Sequence, residues 1–309
     1  MALETRSWRP DWPCPVAQVW SVFSRGATDP TYRVHQGRHW RAMRTPAGPA
    51  TLAVTPLDDS GVIEAQAWGA GSAWALDQLP RLLGAGDDPT GFRPKHPLVT
   101  GLWRRHRHWR LGRTASIMDA LIPAVIEQRV TGQEATLGIR GLLGAYGEPA
   151  PGAGEALGLR LFPPAATLVT IPSWRWLQLQ IDPARSRTLV SAARVAESLE
   201  RALPGDPARA DERLRSLPGI GVWTSAEVRA RALGDADAIS FGDYNLARDV
   251  GWALTGTPLD DAGLAELLEP YRPHRLRVQR LIGLAGLRAP RHGPRLAPRT
   301  HLPGGTRGP

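Results

Sequence analysis

The sequence predicts an α+β protein: an N-terminal small antiparallel sheet-plus-helix domain followed by an all-α core. Two patterns carry this. Before about residue 97, short β-prone runs alternate with breaks containing Gly, Pro or Asp. From Leu98 onward, apolar residues recur at helical spacing between short polar or Gly/Pro-rich connections. A Gly-, Asp- and Pro-rich stretch, 84–97, separates the two and reads as a linker. With 309 residues, of which 42% are hydrophobic, the chain is long enough for about two domains with real cores.

In order along the chain, residues 31–34, 39–43, 51–55 and 62–68 read as strands, with Asp58-Asp59-Ser60-Gly61 as a hairpin turn. Residues 72–83 set Trp74, Leu76, Leu79, Leu82 and Leu83 on one helical face, where Pro80 predicts a kink or two short helices. In the unit 98–288, residues 114–129 form a long helix with Ile117, Leu121, Ile122, Val125 and Ile126 in phase. A helix over 134–146 ends at Gly147 and a loop over 148–158 follows. Further helices are expected over 164–168, 183–203, 208–216, 222–233, 244–254, 261–268 and 274–287. The run Trp103 to Arg110 is either a phosphate-tracking stripe or an amphipathic element with its two tryptophans turned inward. The tail, 289–309, carries Arg291, Arg295, Arg299 and Arg307 and no acid, and is expected to be disordered.

Composition narrows the chemistry. No apolar run reaches the ~18 residues of a transmembrane helix, and the N-terminus lacks the apolar stretch of a signal peptide, so a cytoplasmic protein is expected. The single cysteine, Cys14, excludes an intrachain disulfide, a cysteine zinc site and a four-cysteine iron–sulfur cluster. His106-x-His108 has no neighbouring acid or cysteine, so neither a metal nor a cofactor is expected. Of 38 basic residues only Lys95 is a lysine, which leaves amine chemistry a single candidate. The net charge of +9 points to an anionic partner, nucleic acid first.

The segment 216–249 carries most of the signal. Leu217-Pro218-Gly219-Ile220-Gly221 joins two helices, with Ile220 as a plug between them and two glycines that let another backbone approach. Free amides at such a turn and at the helix start suit a phosphate, so the motif reads as a helix–hairpin–helix that grips DNA through its main chain. A generic αα-hairpin is the plainer alternative. About twenty residues on, Asp243 precedes a helix, where a carboxylate caps amides and is favoured by the dipole. Asp249 competes with it and is expected to pair with Arg248 or Arg275.

Leu217–Gly221 followed by Val222-Trp223-Thr224-Ser225 and Gly242-Asp243-Tyr244 resembles the helix–hairpin–helix DNA glycosylase superfamily, in its alkylpurine (3-methyladenine-type) branch. Residues 121–131 resemble the helix whose Gln-x-Val-Ser/Thr end enters DNA. Phe162-Pro163-Pro164 and Tyr271-Arg272-Pro273-His274-Arg275 match two later segments, so the likeness reaches about residue 287. It implies a DNA repair enzyme that hydrolyses the N-glycosidic bond of a flipped-out damaged purine in duplex DNA, acting as a monomer without cofactor. Asp243 would face the sugar cation. Leu217, Pro218, Gly219, Ile220, Gly221, Gln128, Arg129 and Thr131 would bind DNA, with Arg129 where relatives place an apolar wedge. Trp223, Tyr244 and Glu227 would line the base pocket, with Trp174 and Trp176 as weaker candidates. No lysine follows the hairpin, so a Schiff base and strand cleavage are not expected. Glu227 and Gly283 stand where relatives often carry Tyr and Trp, which implies a wider, more acidic pocket. A non-catalytic damaged-DNA-binding protein on the same scaffold is the alternative; Asp243 favours the enzyme.

Overall fold

The computed structural model describes residues 3–56, 61–202 and 205–290. The expected hairpin turn at 58–61 therefore falls mainly outside the described residues, and so does the tail beyond Pro290. The antiparallel sheet comprises β1 (Leu3–Trp8), β2 (Tyr32–His35), β3 (Arg38–Thr45), β4 (Gly48–Thr55) and β5 (Ile63–Trp68), in the order β1-β5-β4-β3-β2. Period-two alternation gives the sheet two faces. Ala50, Leu52, Val54, Ile63, Ala65 and Ala67 enter the main core. Trp40, Ala42 and Ala53 face the other way onto Ala150, Leu159 and Leu161. Strand β1 has no fully buried residue, which is why its sequence shows no clear core-facing pattern.

The helices are α1 (Val16–Trp20), α2 (Ser72–Leu82), α3 (Pro97–Arg105), α4 (Ile117–Ile126), α5 (Gly132–Tyr146), α6 (Ala153–Ala156), α7 (Ala165–Thr170) and α8 (Ser173–Gln178). They continue as α9 (Pro183–Arg194), α10 (Ala196–Ala202), α11 (Pro207–Arg215), α12 (Val222–Val228), α13 (Leu246–Thr255), α14 (Asp261–Leu268) and α15 (Arg275–Leu284). Helix α2 carries Pro80 without splitting, and the Leu76 carbonyl that the proline leaves without an amide accepts from Arg6 Nη1 at 2.9 Å. Helix α4 is shorter than expected: Ala115 takes a left-handed φ of 52°, and the Glu200 carboxylate accepts the Ile117 and Met118 amides at 2.9 Å each. The expected helix 183–203 is divided at Val195, and the expected loop 148–158 contains α6. In the basic–aromatic run, Trp109 is buried, Trp103 packs partly against the core, and Arg104, Arg105 and Arg107 are exposed, the amphipathic arrangement.

Two large cores result. The first joins the sheet, α1 and α2 to apolar residues of α13, α14 and α15. Its least accessible ion pair is Arg277 with Asp87, bidentate at 2.7 and 3.0 Å, with Phe92, Trp103 and Trp109 rings around the guanidinium. The second core gathers α4, α5, α7, α9 and α11. Helix α12 and the π-helical turn Arg229–Leu233 that extends it form the partition: Ala226 and Ala230 belong to the first core, Val228 and Ala232 to the second. The π turn ends at Gly234 in the left-handed region.

Candidate active site

The partition helix begins at the predicted hairpin. Ile220 is 5% exposed and plugs into the second core, and its amide donates to the Leu217 carbonyl at 3.1 Å. Gly219 has φ +87°, and a Cβ there would lie 2.0 Å from the Thr188 hydroxyl, so only glycine fits. The amides of Gly219, Gly221 and Val222 have no intramolecular partner among the described residues. They form, with the start of α12, an exposed row of donors suited to an anion.

Beside the turn lies the connection between α4 and α5. The Gln128 carboxamide nitrogen donates to the Gly219 carbonyl at 2.9 Å and the Thr224 hydroxyl at 2.7 Å. Gln128 therefore braces this connection against the hairpin. Arg129 is exposed, free of ion pairs among the described residues, and held at φ +53°, a conformation uncommon for a side-chain-bearing residue. Thr131, expected to reach DNA, also caps α5: its hydroxyl accepts the Glu134 amide at 3.3 Å and the Glu134 carboxylate accepts the Thr131 amide at 2.8 Å, a reciprocal capping box.

Asp243 sits opposite. Its Oδ1 accepts the Asn245 amide at 2.9 Å and the Leu246 amide at 3.0 Å, capping α13, while Oδ2 accepts the Trp223 indole N–H at 3.3 Å. Cap and cavity wall thus coincide in one carboxylate. A cavity of about 330 Å³ opens between them, lined by Trp223, Glu227, Asp243, Arg25, Asp29 and Glu127 among others.

Glu227 lies one helical turn beyond Trp223. Burial alone would raise its pKa, but Arg231 and then Arg280, with a hydrogen bond from Ser240, outweigh that and hold it at about 2. Burial pushes Arg280 the other way, to about 10, helped by repulsion from Arg231. Arg25, from the N-terminal sheet unit, pairs with Glu127 at the end of α4.

Several expected residues lie elsewhere. Tyr244 does not line the cavity; it is 73% exposed, because capping by Asp243 turns the next residue of the chain outward. Trp176 is a core residue and Trp174 is exposed, and neither lines the cavity. Asp249 accepts the Ala289 amide at 2.9 Å, while Arg275 pairs with Asp237 at 2.7 Å. A Cβ at Gly283 would meet nothing within 4 Å, so the space a large side chain would take is open. Lys95 is exposed beside Tyr271 and does not line the cavity. Among the described residues no group of three His, Cys, Asp or Glu side chains is placed to hold a metal. No helix among them is long and apolar enough to cross a membrane. Sequence reasoning missed Arg25, Asp29 and Arg280, which come from distant segments with no motif of their own, and Ser240, which lies three residues before Asp243 and meets Glu227 only in the fold.

No family model matches the chain. It is 29% identical over 262 residues to the probable bifunctional transcriptional activator/DNA repair enzyme AlkA of Mycobacterium tuberculosis H37Rv, covering 78% of this chain and 49% of that protein. The chain therefore spans about half the length of the curated relatives it matches. Among solved structures it is similar to the 3-methyladenine DNA glycosylase of Archaeoglobus fulgidus, with a TM-score of 0.73 at 17% identity, covering 90% of this chain and 97% of the other. It is also similar to the 8-oxoguanine glycosylase/lyase of Clostridium acetobutylicum, with a TM-score of 0.66 at 10% identity, covering 91% and 97%.

Proposed function

We propose that this chain is a member of the helix–hairpin–helix DNA glycosylase superfamily, in its alkylpurine branch, and acts as a monofunctional DNA glycosylase that excises alkylated purines from duplex DNA. The observation that carries this reading is Asp243: anchored through Oδ1 to two amides, it keeps Oδ2 on the cavity beside Trp223.

The amides of Gly219, Gly221 and Val222 grip a phosphate of the lesion strand, with Leu217, Pro218 and Ile220 shaping the turn. The damaged nucleotide swings out of the stack, and Arg129, presented on its left-handed residue, fills the gap. Gln128 keeps that wedge in register with the phosphate grip. The base enters the cavity against the face of Trp223, with anionic Glu227 beyond, an environment that favours a cationic purine. The C1′–N9 bond then breaks with its electron pair leaving on the base. An N3- or N7-alkylated purine departs neutral and needs no general acid. Asp243 stabilises the oxocarbenium-like sugar, orients the water whose oxygen bonds to C1′, and accepts the proton that this water gives up before passing it to solvent. The sole lysine, Lys95, is not among the cavity-lining residues, which supports a reading without an imine intermediate and without strand cleavage.

The test is base release from alkylated duplex. The wild type releases free alkylpurine and leaves an intact abasic strand, and Asp243→Asn lowers the rate by about 100-fold or more while still binding abasic-site duplex. A wild type that binds DNA and releases no base would leave only a binding role.

A further inference from the structure

The cavity follows one face of α5. Its lining residues on that helix recur at Gly132, Thr136 and Arg140, which is about two turns, or roughly 12 Å of axis. The start of α5 is the end that adjoins the hairpin. Val130, just before it, lines the cavity together with Trp223 and Asp243, and Gln128, two residues earlier, is bonded to Gly219 and Thr224. The other end of α5 meets the N-terminal sheet unit. There the Pro30 carbonyl accepts the Arg160 amide at 2.8 Å, and the Arg160 guanidinium donates to the Leu143 and Gly147 carbonyls at 2.7 and 2.6 Å. Pro30 also lines the cavity. A Cβ at Gly132 would meet nothing within 4 Å, so the α5 wall leaves open space at its start. At about 330 Å³ the cavity falls in the size range of sites for drug-sized ligands, with room beyond a base that carries one methyl group.

Six ionisable side chains line this space, and five of them are engaged. Asp243 caps α13 and meets Trp223. Glu227 is held by Arg231 and Ser240, and Arg25 pairs with Glu127. Asp29 accepts from the Thr31 amide and hydroxyl and from the Arg25 amide, each at 2.8 Å. Arg140 is the exception: it is exposed on α5 and has no hydrogen bond or ion pair among the described residues. Its guanidinium carries a permanent positive charge and five N–H donors in a planar fork that matches a carboxylate. Asp243 and Glu227 suit a cation, whereas Arg140 suits an anion. A ligand that satisfies both carries the two charges at separate places.

Building on the proposed glycosylase reading, we infer that the site takes purines whose alkyl substituent ends in a carboxylate, and that Arg140 receives that group. A guanine alkylated at N7 by a carboxyalkyl chain is a cation in its ring and an anion at the end of its chain. The ring meets Trp223 and the carboxylates, the chain runs along the small-residue wall of α5, and the terminal carboxylate forms a charge-assisted pair with Arg140. The leaving step is the one already described, since the ring charge is that of any N7-alkylated purine and the carboxylate departs with the base. Arg140 touches the substituent and not the breaking bond, so it acts as a specificity residue.

The experiment uses the full chain under single-turnover conditions on duplexes carrying one 7-(2-carboxyethyl)guanine or its near-isosteric carboxamide, 7-(2-carbamoylethyl)guanine, with 7-methylguanine as the reference lesion. Each rate is divided by its uncatalysed rate. The wild type releases all three and favours the carboxylate over the carboxamide by about 5-fold at low ionic strength, the scale of an exposed ion pair. Added salt shrinks that preference. Arg140→Gln brings the ratio to about one, and Arg140→Glu inverts it. The ratio compares two ligands within one protein, so any effect of the substitution on folding or on bond cleavage cancels. A wild-type ratio of one, release of 7-methylguanine alone, or a preference that survives Arg140→Gln overturns this inference and leaves the glycosylase reading intact. An equal loss for both larger lesions in the variants, with weaker binding to abasic-site duplex, makes Arg140 a contact to a DNA phosphate and overturns it too. A wild type that releases nothing from any duplex overturns both readings.

Discussion

The hairpin turn and the charged wall of the cavity share one helix and are built from opposite materials. At the turn, the functional groups are main-chain amides freed by two glycines, and the side chains near them serve to brace the backbone. In the cavity, the polar groups are charged side chains, Arg25, Glu127 and Glu227, with Arg231 and Arg280 acting on Glu227, brought together from distant parts of the chain. On the proposed reading, the backbone grip at the turn is indifferent to which nucleotide it holds. A side-chain cluster is not. The contrast teaches that holding and choosing can be altered separately, because α12 is the main physical object they share.

The contrast is broken most severely at Glu227. Replacing it with Gln leaves the buried Arg231 and Arg280 without their counter-charge, and the variant is expected to lose about 3 kcal/mol in chemical denaturation. The pH dependence follows from the same residue. Its folded pKa of about 2 lies below the ordinary value of 4.5, so its stabilisation is complete above about pH 5 and is lost as pH falls toward 2. Thermal melts between pH 6 and 3 should therefore fall more steeply for the wild type than for Glu227→Gln. Next in size is Gly219→Ala, which places a Cβ at φ +87° against Thr188. It is expected to cost about 2 kcal/mol of stability and about tenfold in affinity for abasic-site duplex, measured by fluorescence anisotropy, without altering the preference among lesions. The smallest and most informative change is Trp223→Phe, which keeps an aromatic face and removes only the indole N–H that meets Asp243. A loss of about 5- to 10-fold in single-turnover rate, with affinity unchanged, would place that hydrogen bond in the chemistry and not in the grip.

The same contrast decides what was legible in the sequence. Leu217 to Gly221, Trp223 and Asp243 lie within one stretch whose spacing is set by a tight turn and a cap, so local reasoning finds them. The α+β order was readable because strand alternation and helical periodicity are also local. Arg25 and Arg280 were not readable: each is an unremarkable arginine among 37, and only packing around α12 brings Arg25 to the cavity and Arg280 near Glu227. Tyr244 shows the converse error. Adjacency to Asp243 suggested a shared role, but a capping carboxylate and the residue after it point in different directions. Asp249 erred in the same way, since sequence proximity to Arg248 said nothing about the Ala289 amide that it meets.

The alternating alanines and valine along Val222–Val228 and the following π turn have a mechanical consequence. Both hydrophobic masses are keyed into the same rod, so neither half of the molecule can slide past the other without dragging Trp223 across Asp243. The alignment of Trp223 with Asp243 is in that sense clamped from two sides.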